Sequence, residues 1–599
     1  MRTRVIFRIA AAAFLLIALA SAGLAQTTGG IVGRVTDENG GGLPGVTVQV
    51  ESPVLQGARV TTTDPDGHFR LNLLPPGDYT LTFQLAGFGP EQQKTPVGLD
   101  RDTTVNTSLR PSEAEEITVV SDSAVIDLRS TELGVNLDQK AIESLPTGRN
   151  YSSMAQLVPG VTSDANPENT TQSTISVYGS SGAENVFIVD GVNTTGVEYG
   201  FQGKELNFEF VQAIDIKTGG YEAEYGRSTG GVVNVITKSG GNEFKGDVFG
   251  YFDDDSLQAS PDTIVSTAGT VDGYERQDFG ADLGGYLIQD RLWFFAAYDR
   301  VSNTTSTVLP AGPAAGEIVE STSDRDLAAG KLTWNVSAGQ SLVATFFQDP
   351  RDDAGAINDN DHKLNGEPLT YLGQQAFGGK DYALRYDGIL GSTWIVSAQI
   401  SRHEEENSIG PASAAGDVVE FRDSANDSFQ TGGFGLIQEK TFQRDSWGGS
   451  IAKYLDRHDL KFGLEFEEEK ADVLKRMSGG QRVDILENPN GGPAIYSHFY
   501  WTTPLATIDN APTSALVAPV KHDNTAVYLQ DRWQITPAFG LNVGVRWDRQ
   551  EIFDRFGRKV IDLKDDYAPR LGFTWAPGAE GHSKLYGSYG QYYEQIPMD

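Results

Sequence analysis

The run Phe539-Gly540-Leu541-Asn542-Val543-Gly544-Val545-Arg546-Trp547-Asp548 decides the fold of this chain. Phe539, Leu541, Val543, Val545 and Trp547 share one parity, while Gly540, Asn542, Gly544, Arg546 and Asp548 share the other. Successive side chains of a strand project to opposite faces, so the run reads as a strand with one apolar and one polar face. The pattern recurs in Leu460, Phe462, Leu464 and Phe466 against Lys461, Gly463, Glu465 and Glu467. It recurs again in Leu332, Trp334 and Val336 against Lys331, Thr333 and Asn335. About thirteen such strands are legible from residue 243 onward. Tight turns are expected near Gln289-Asp290, Ser337-Ala338-Gly339, Gly391-Ser392, Asp456-Arg457-His458 and Thr536-Pro537. Long connections are expected near 304–323, 350–379, 405–443 and 471–522, the third with room for a further strand pair. Short turns at one end, long loops at the other and a polar interior describe a β-barrel crossing an outer membrane.

Composition excludes several classes. The chain has 599 residues and a formal net charge of −34, which argues against nucleic-acid binding, since neutralising phosphates requires clustered Lys and Arg. It contains no Cys, so disulfides, thiolate catalysis and Cys-ligated metals are ruled out for these residues. Arg2 and Arg4, the mostly apolar Val5 to Ala20 and the small residues up to Ala25 read as a signal peptide over 1–25. No later run is long and apolar enough for a membrane helix, but a barrel escapes such a scan because only alternate residues face lipid.

Three regions follow the leader. Residues 27–110 carry short strands and turns, such as Val46-Thr47-Val48-Gln49-Val50 and Asp64-Pro65-Asp66-Gly67, and read as a β-sandwich. His68 beside Asp66 reads as part of a turn. Residues 111–122 form a linker in which acidic Glu113, Glu115 and Glu116 precede β-prone Ile117, Thr118, Val119 and Val120. Residues 123–241 are mixed α/β, with a short helix expected over Leu137 to Ser144. Residues 242–599 are the alternating strands.

The stretches "GRVTDENGGGLPGVTVQV" and "TTTDPDGHFRLNLLPPGDYTLTFQLAGF" resemble the carboxypeptidase regulatory-like domain, a transthyretin-like sandwich. "VFIVDGV" and "IDIKTGGYEAEYGRSTGGVVNVITKSG" resemble the plug motifs of TonB-dependent outer-membrane receptors. Asp190, Gly191, Tyr225, Gly226, Gly230 and Gly231 occupy the motif positions. "LPTGRNYSSMAQLVPGV", with the N-terminal sandwich, resembles the Oar-like branch of that family. Tyr178 departs from the pattern, where many members carry Arg. The resemblance places a TonB box at Glu115, Glu116, Ile117, Thr118, Val119 and Val120. It implies a barrel of about 22 strands closed around the plug. The expected fold class is mainly β: an N-terminal β-sandwich, a mixed α/β plug and an antiparallel transmembrane β-barrel that is incomplete in this sequence, as in a fragment of a longer receptor.

The implied function is uptake of a scarce or large ligand, such as a siderophore, oligosaccharide or peptide, by energy-coupled remodelling of the plug. The implied partners are TonB of the inner-membrane energy-coupling complex, an extracellular ligand and outer-membrane lipid. The implied location is the outer membrane of a Gram-negative-type bacterium, with the sandwich and plug on the periplasmic side. Surface adhesion or protein export of the Oar type is the alternative. No catalytic, cofactor-binding or metal residues are read: carboxypeptidase chemistry needs a zinc site of His and Glu, and no such cluster occurs among the seven His. Asp349, Asp352, Asp353, Asp359 and Asp361 could hold calcium, but their spacing favours an acidic solvated loop. Tyr586, Tyr589, Tyr592 and Tyr593 read as an interfacial aromatic girdle.

Overall fold

The computed structural model describes residues 27–111, 118–120, 129–145, 151–163, 175–257, 270–310, 312, 314–359, 361–391, 393–425, 429–502, 512–513, 515–536, 538–577 and 583–598. The expected signal peptide and Glu115, Glu116 and Ile117 lie outside these residues.

The first body is a sandwich of two sheets. One joins β1 (Gly29–Thr36) to β4 (His68–Leu74), β7 (Asp102–Thr104) and β8 (Thr107–Ser108). The other runs in the order β3 (Arg59–Thr62), β2 (Thr47–Glu51), β5 (Gly77–Gln84), β6 (Glu91–Val97), β9 (Thr118–Val120). Alternate residues of both sheets bury Val35, Val48, Leu71, Leu81 and Phe83 between them. Phe69 and Phe83 meet edge to face at 5.7 Å. His68 is exposed, and its amide closes a turn on the Asp64 carboxylate at 2.8 Å.

The second body is a five-stranded sheet in the order β10 (Leu133–Asp138), β15 (Val211–Gly219), β16 (Val232–Thr237), β13 (Val186–Val189), β14 (Val192–Asn193); β11 (Val161–Ser163) and β12 (Ile175–Val177) pair beside it. Its helix begins at Gln139 rather than Leu137, which stays in β10, because the Asp138 carboxylate caps the Ala141 amide at 2.8 Å. β13 and β16, inside the sheet, are buried on both faces, as their near-continuous apolar runs require.

The third body is one antiparallel sheet wound around the second. Its path follows 13 strands among the described residues, from Val248–Asp254 to Leu585–Gly590, with no pairing between those two. Tight turns join Thr270–Ile288 to Leu292–Val308, Ile318–Ser337 to Gln340–Gln348, Lys380–Leu390 to Trp394–Pro411, Leu436–Tyr454 to His458–Met477 and Val520–Thr536 to Phe539–Phe553, at the positions expected from the turn residues. The alternation behaves as a lipid-facing wall demands. Val543 and Val545 are 46% and 43% exposed, while Arg546 and Asp548, just beyond them on the other parity, are 0% and 4% exposed. Apolar groups point outward and charges inward, the inverse of a soluble sandwich.

The 350–379 region differs from the expected loop. Arg351–Ala356 and Leu372–Gly378 continue the wall as a paired ladder. Strands of up to 20 residues, such as His458–Met477, exceed the 9–11 or so residues that cross a bilayer, so the wall rises beyond the membrane. In the 405–443 region, Glu420–Asp423 and Phe429–Gly432 form the further strand pair and join Arg482–Leu486 and Ile495–Phe499 in a separate sheet.

Candidate functional site

The site is the seat of the plug inside the wall, together with the segment that leads into it. Inward positions of successive wall strands supply a polar or charged group to a plug partner. Lys331 Nζ lies 2.8 Å from Asp190 Oδ1, Asn207 Nδ2 donates to Asp299 at 2.5 Å, and Lys440 Nζ lies 2.7 Å from Glu198. Arg444 donates to the carbonyls of Asn193 and Thr195 at 3.1 and 2.7 Å and pairs with Glu469 at 2.6 Å. Lys461 pairs with Glu224, and Arg532 with Glu222. Lys331, Glu198, Lys440, Arg444, Glu469, Glu222 and Glu224 are buried, so each is tolerable only because a partner is in place, while Lys461 and Arg532 are half-buried.

The densest knot surrounds Arg227. Its guanidinium pairs with Glu465 at 2.8 Å and with Glu467, both on the inward face of His458–Met477. Arg546 approaches Glu465 at 2.5 Å and Asp548 at 2.9 Å, and donates to the Glu224 carbonyl at 3.0 Å.

The motif residues hold this seat in shape. Asp190 has φ +48° and accepts from the Thr237 amide and hydroxyl at 3.1 and 2.5 Å besides Lys331. Gly191, at φ +81°, offers its carbonyl to Gln399 at 2.9 Å, and a Cβ there would lie 2.8 Å from the Gln399 amide oxygen. A Cβ on Gly226 would overlap the Arg546 guanidinium. The Gly231 amide donates to Asn185 at 2.8 Å, and Gly230 is pressed against the same Asn185 side chain. Tyr225 is buried and donates to Asp100 of the sandwich at 2.6 Å. These six residues shape backbone and interfaces and do not converge on one cleft.

A second knot joins sandwich and plug. Lys217 Nζ lies 2.9 Å from Asp100, 2.7 Å from Glu132 and 2.9 Å from Asp215. Burial acts to neutralise Lys217, but these three carboxylates outweigh it and hold its pKa well above the ordinary lysine value. Burial also opposes ionisation of Asp100, yet Lys217, Lys461 and Arg532 keep its carboxyl below the usual range. Glu132 is pushed up to about 7 by burial and by Asp100, Glu222 and Asp215, against the pull of Lys217. The sandwich is also pinned to the wall: Arg70 bridges Asp102 at 3.0 Å and Asp459 at 2.9 Å, and Arg129 reaches Asp459 at 3.0 Å. Asp459 borders the turn between Tyr454 and His458, so the sandwich sits at the tight-turn end.

Of the expected TonB box, the described residues Thr118, Val119 and Val120 form β9, which lies parallel to β6. Two expectations are corrected. Asp349 is not part of a solvated loop: it is buried, pairs with Lys204 at 3.1 Å and accepts the Glu205 amide at 2.8 Å, because the plug apex brings a cation to it. Tyr592 is not on a girdle: it turns inward, meeting the Tyr221 ring at 4.8 Å and the Arg570 guanidinium at 3.6 Å, because the chain leaves the wall after Gly590. Tyr586 and Tyr589 stay exposed on the wall. Among the described residues no group of three or more His, Asp or Glu is arranged to hold a metal ion. The Arg227 and Lys217 knots escape a reading of the sequence, which gives the polar parity of Glu465, Glu467 and Arg546 but not their partners.

Comparison with known proteins agrees with this architecture. Residues 30–110 match the carboxypeptidase regulatory-like domain, 127–233 the TonB-dependent receptor plug domain, 236–317 an outer membrane beta barrel domain and 319–596 the TonB dependent receptor-like beta-barrel. The TonB-dependent transporter Oar of Myxococcus xanthus is 29% identical over 97% of this chain and 63% of its own length. The probable TonB-dependent siderophore receptor PirA of Acinetobacter baumannii is 24% identical over 53% of this chain and 43% of its own. The outer membrane transporter YddB of Escherichia coli superposes with a TM-score of 0.56 at 16% identity, over 77% of this chain and 61% of that one. The chain thus spans under two thirds of the length of these relatives. With its sandwich, its plug and a wall wound around that plug, the chain belongs to the TonB-dependent receptors of the outer membrane.

Proposed function

We propose that the chain is the sandwich, plug and leading wall of an importer that admits a scarce or large ligand when TonB draws on the 115–120 segment. The observation that carries this reading is the plug's seat: buried ion pairs from successive wall strands, centred on Arg227 with Glu465 and Glu467, hold it inside the wall. Such a seat does not open by thermal motion alone, since separating a buried pair leaves uncompensated charge. The outer membrane offers no ATP, so work has to arrive from a partner anchored in the inner membrane. A short β-prone segment on the tight-turn side suits that partner, because an extended peptide can add to a sheet edge through its backbone.

A siderophore is the first ligand class to test, since the A. baumannii relative is named a probable siderophore receptor; oligosaccharides and peptides follow. The test is uptake by the full-length receptor with and without a protonophore. Uptake should collapse while surface binding persists. An adhesion role predicts no dependence on the proton-motive force, and that result would remove the importer reading.

A further inference from the structure

The TonB-box strand is already engaged. β6 is the edge of its sheet but for β9, which lies along it with Thr118 opposite Glu91, Val119 opposite Gln92 and Val120 opposite Gln93. The edge suits this use over part of its length. Pro96, towards the far end of β6, has no amide hydrogen and blunts pairing there, while Glu91–Gln93 is free of proline. The open part is held rigid. The Gln92 side-chain amide donates to the Thr82 hydroxyl at 3.2 Å, the Gln93 side-chain amide to the Glu91 carboxylate at 2.8 Å, and the Thr107 hydroxyl to Glu91. Linker geometry directs the segment to it: Pro111 bridges to Phe88, and the Gly89 amide donates to the Arg110 carbonyl at 3.0 Å, so the linker starts beside the start of β6. The sandwich cannot drift away with the strand, because Asp100 and Arg70 fix it to plug and wall.

We infer that the outer edge of β6 is a resting dock for the Thr118–Val120 strand, and that pairing with this edge and pairing with TonB exclude one another. The inference rests on reading 115–120 as the TonB-pairing segment. A three-residue parallel ladder is weak enough to exchange, and its hydrogen bonds are lost when the strand is withdrawn. The sandwich thereby keeps the segment covered until a competing sheet edge takes it, which gives this accessory domain a role in deciding when coupling begins.

The test uses the full-length receptor carrying Gln92→Cys with Val119→Cys, and in parallel Gln93→Cys with Val120→Cys; the 599 residues supply no competing thiol. Both pairs are opposite in register, and neighbouring strands lie about 4.8 Å apart, inside the Cα range that a disulfide spans. The probe is the purified periplasmic C-terminal domain of TonB. The disulfide should form readily, lower TonB binding at least about tenfold, and release it to the wild-type level on reduction. Failure of both pairs to cross-link, or equal binding by the oxidised and reduced forms, would overturn the dock. If TonB binds neither the reduced variants nor the wild type, the coupling reading itself falls, while the cross-linking yield still decides whether the strand docks on β6.

Discussion

Arg227 of the plug lies 2.8 Å from Glu465 of the wall, and the same guanidinium also holds Glu467, so one plug cation bridges two inward carboxylates of a single strand. Replacing Arg227 with Ala leaves both carboxylates buried with less compensation. The expected cost to plug stability is about 3–5 kcal/mol. Plug loosening should appear as raised single-channel conductance of the full-length receptor in a planar bilayer. Adding Glu467→Gln should recover part of the loss, and additive effects of the two changes would count against this pairing.

Gly226 is a point of close approach between plug backbone and wall, where a Cβ would overlap the Arg546 guanidinium. Gly226→Ala should displace Arg546 from Glu465 and cost about 1–3 kcal/mol. The readout is a lower thermal midpoint of the purified receptor. A midpoint equal to wild type would show that Arg546 has room to give way.

The Lys217 knot carries a pH dependence. Glu132 has its pKa raised from 4.5 to about 7, so the folded state favours its neutral form. Its contribution is complete below about pH 4.5 and is lost as pH rises through about 7. Glu132→Gln mimics the neutral form, so wild type and variant should melt alike below about pH 4.5 and diverge as pH rises from 4.5 to about 7, with wild type lower and the gap constant above that. Parallel melting curves across that range would contradict the assignment.

Much of the wall is legible in the sequence, because period-two alternation needs only neighbouring residues. Val543 and Val545 face out and Arg546 faces in, as their parity requires. Tight turns are legible for the same local reason: Gly339 and Gly391 take positive φ at the turns where they were expected. What escapes is pairing across hundreds of residues. Asp349 looks like one member of an acidic run, and only Lys204, brought to it by the plug apex, makes it a buried anchor. Tyr592 looks like wall until the chain turns inward toward Tyr221. The Lys217 knot draws Asp100 from the sandwich to Glu132 and Asp215 of the plug, and no spacing in the sequence announces that meeting.

The central claim is that work enters through the 115–120 segment, and Val119→Pro in the full-length receptor tests it most directly. Proline removes a backbone donor from a strand that must add to a partner's sheet. Ligand uptake should fall to the level seen without TonB, while ligand binding at the cell surface stays at the wild-type value. Unchanged uptake by Val119→Pro would contradict the account.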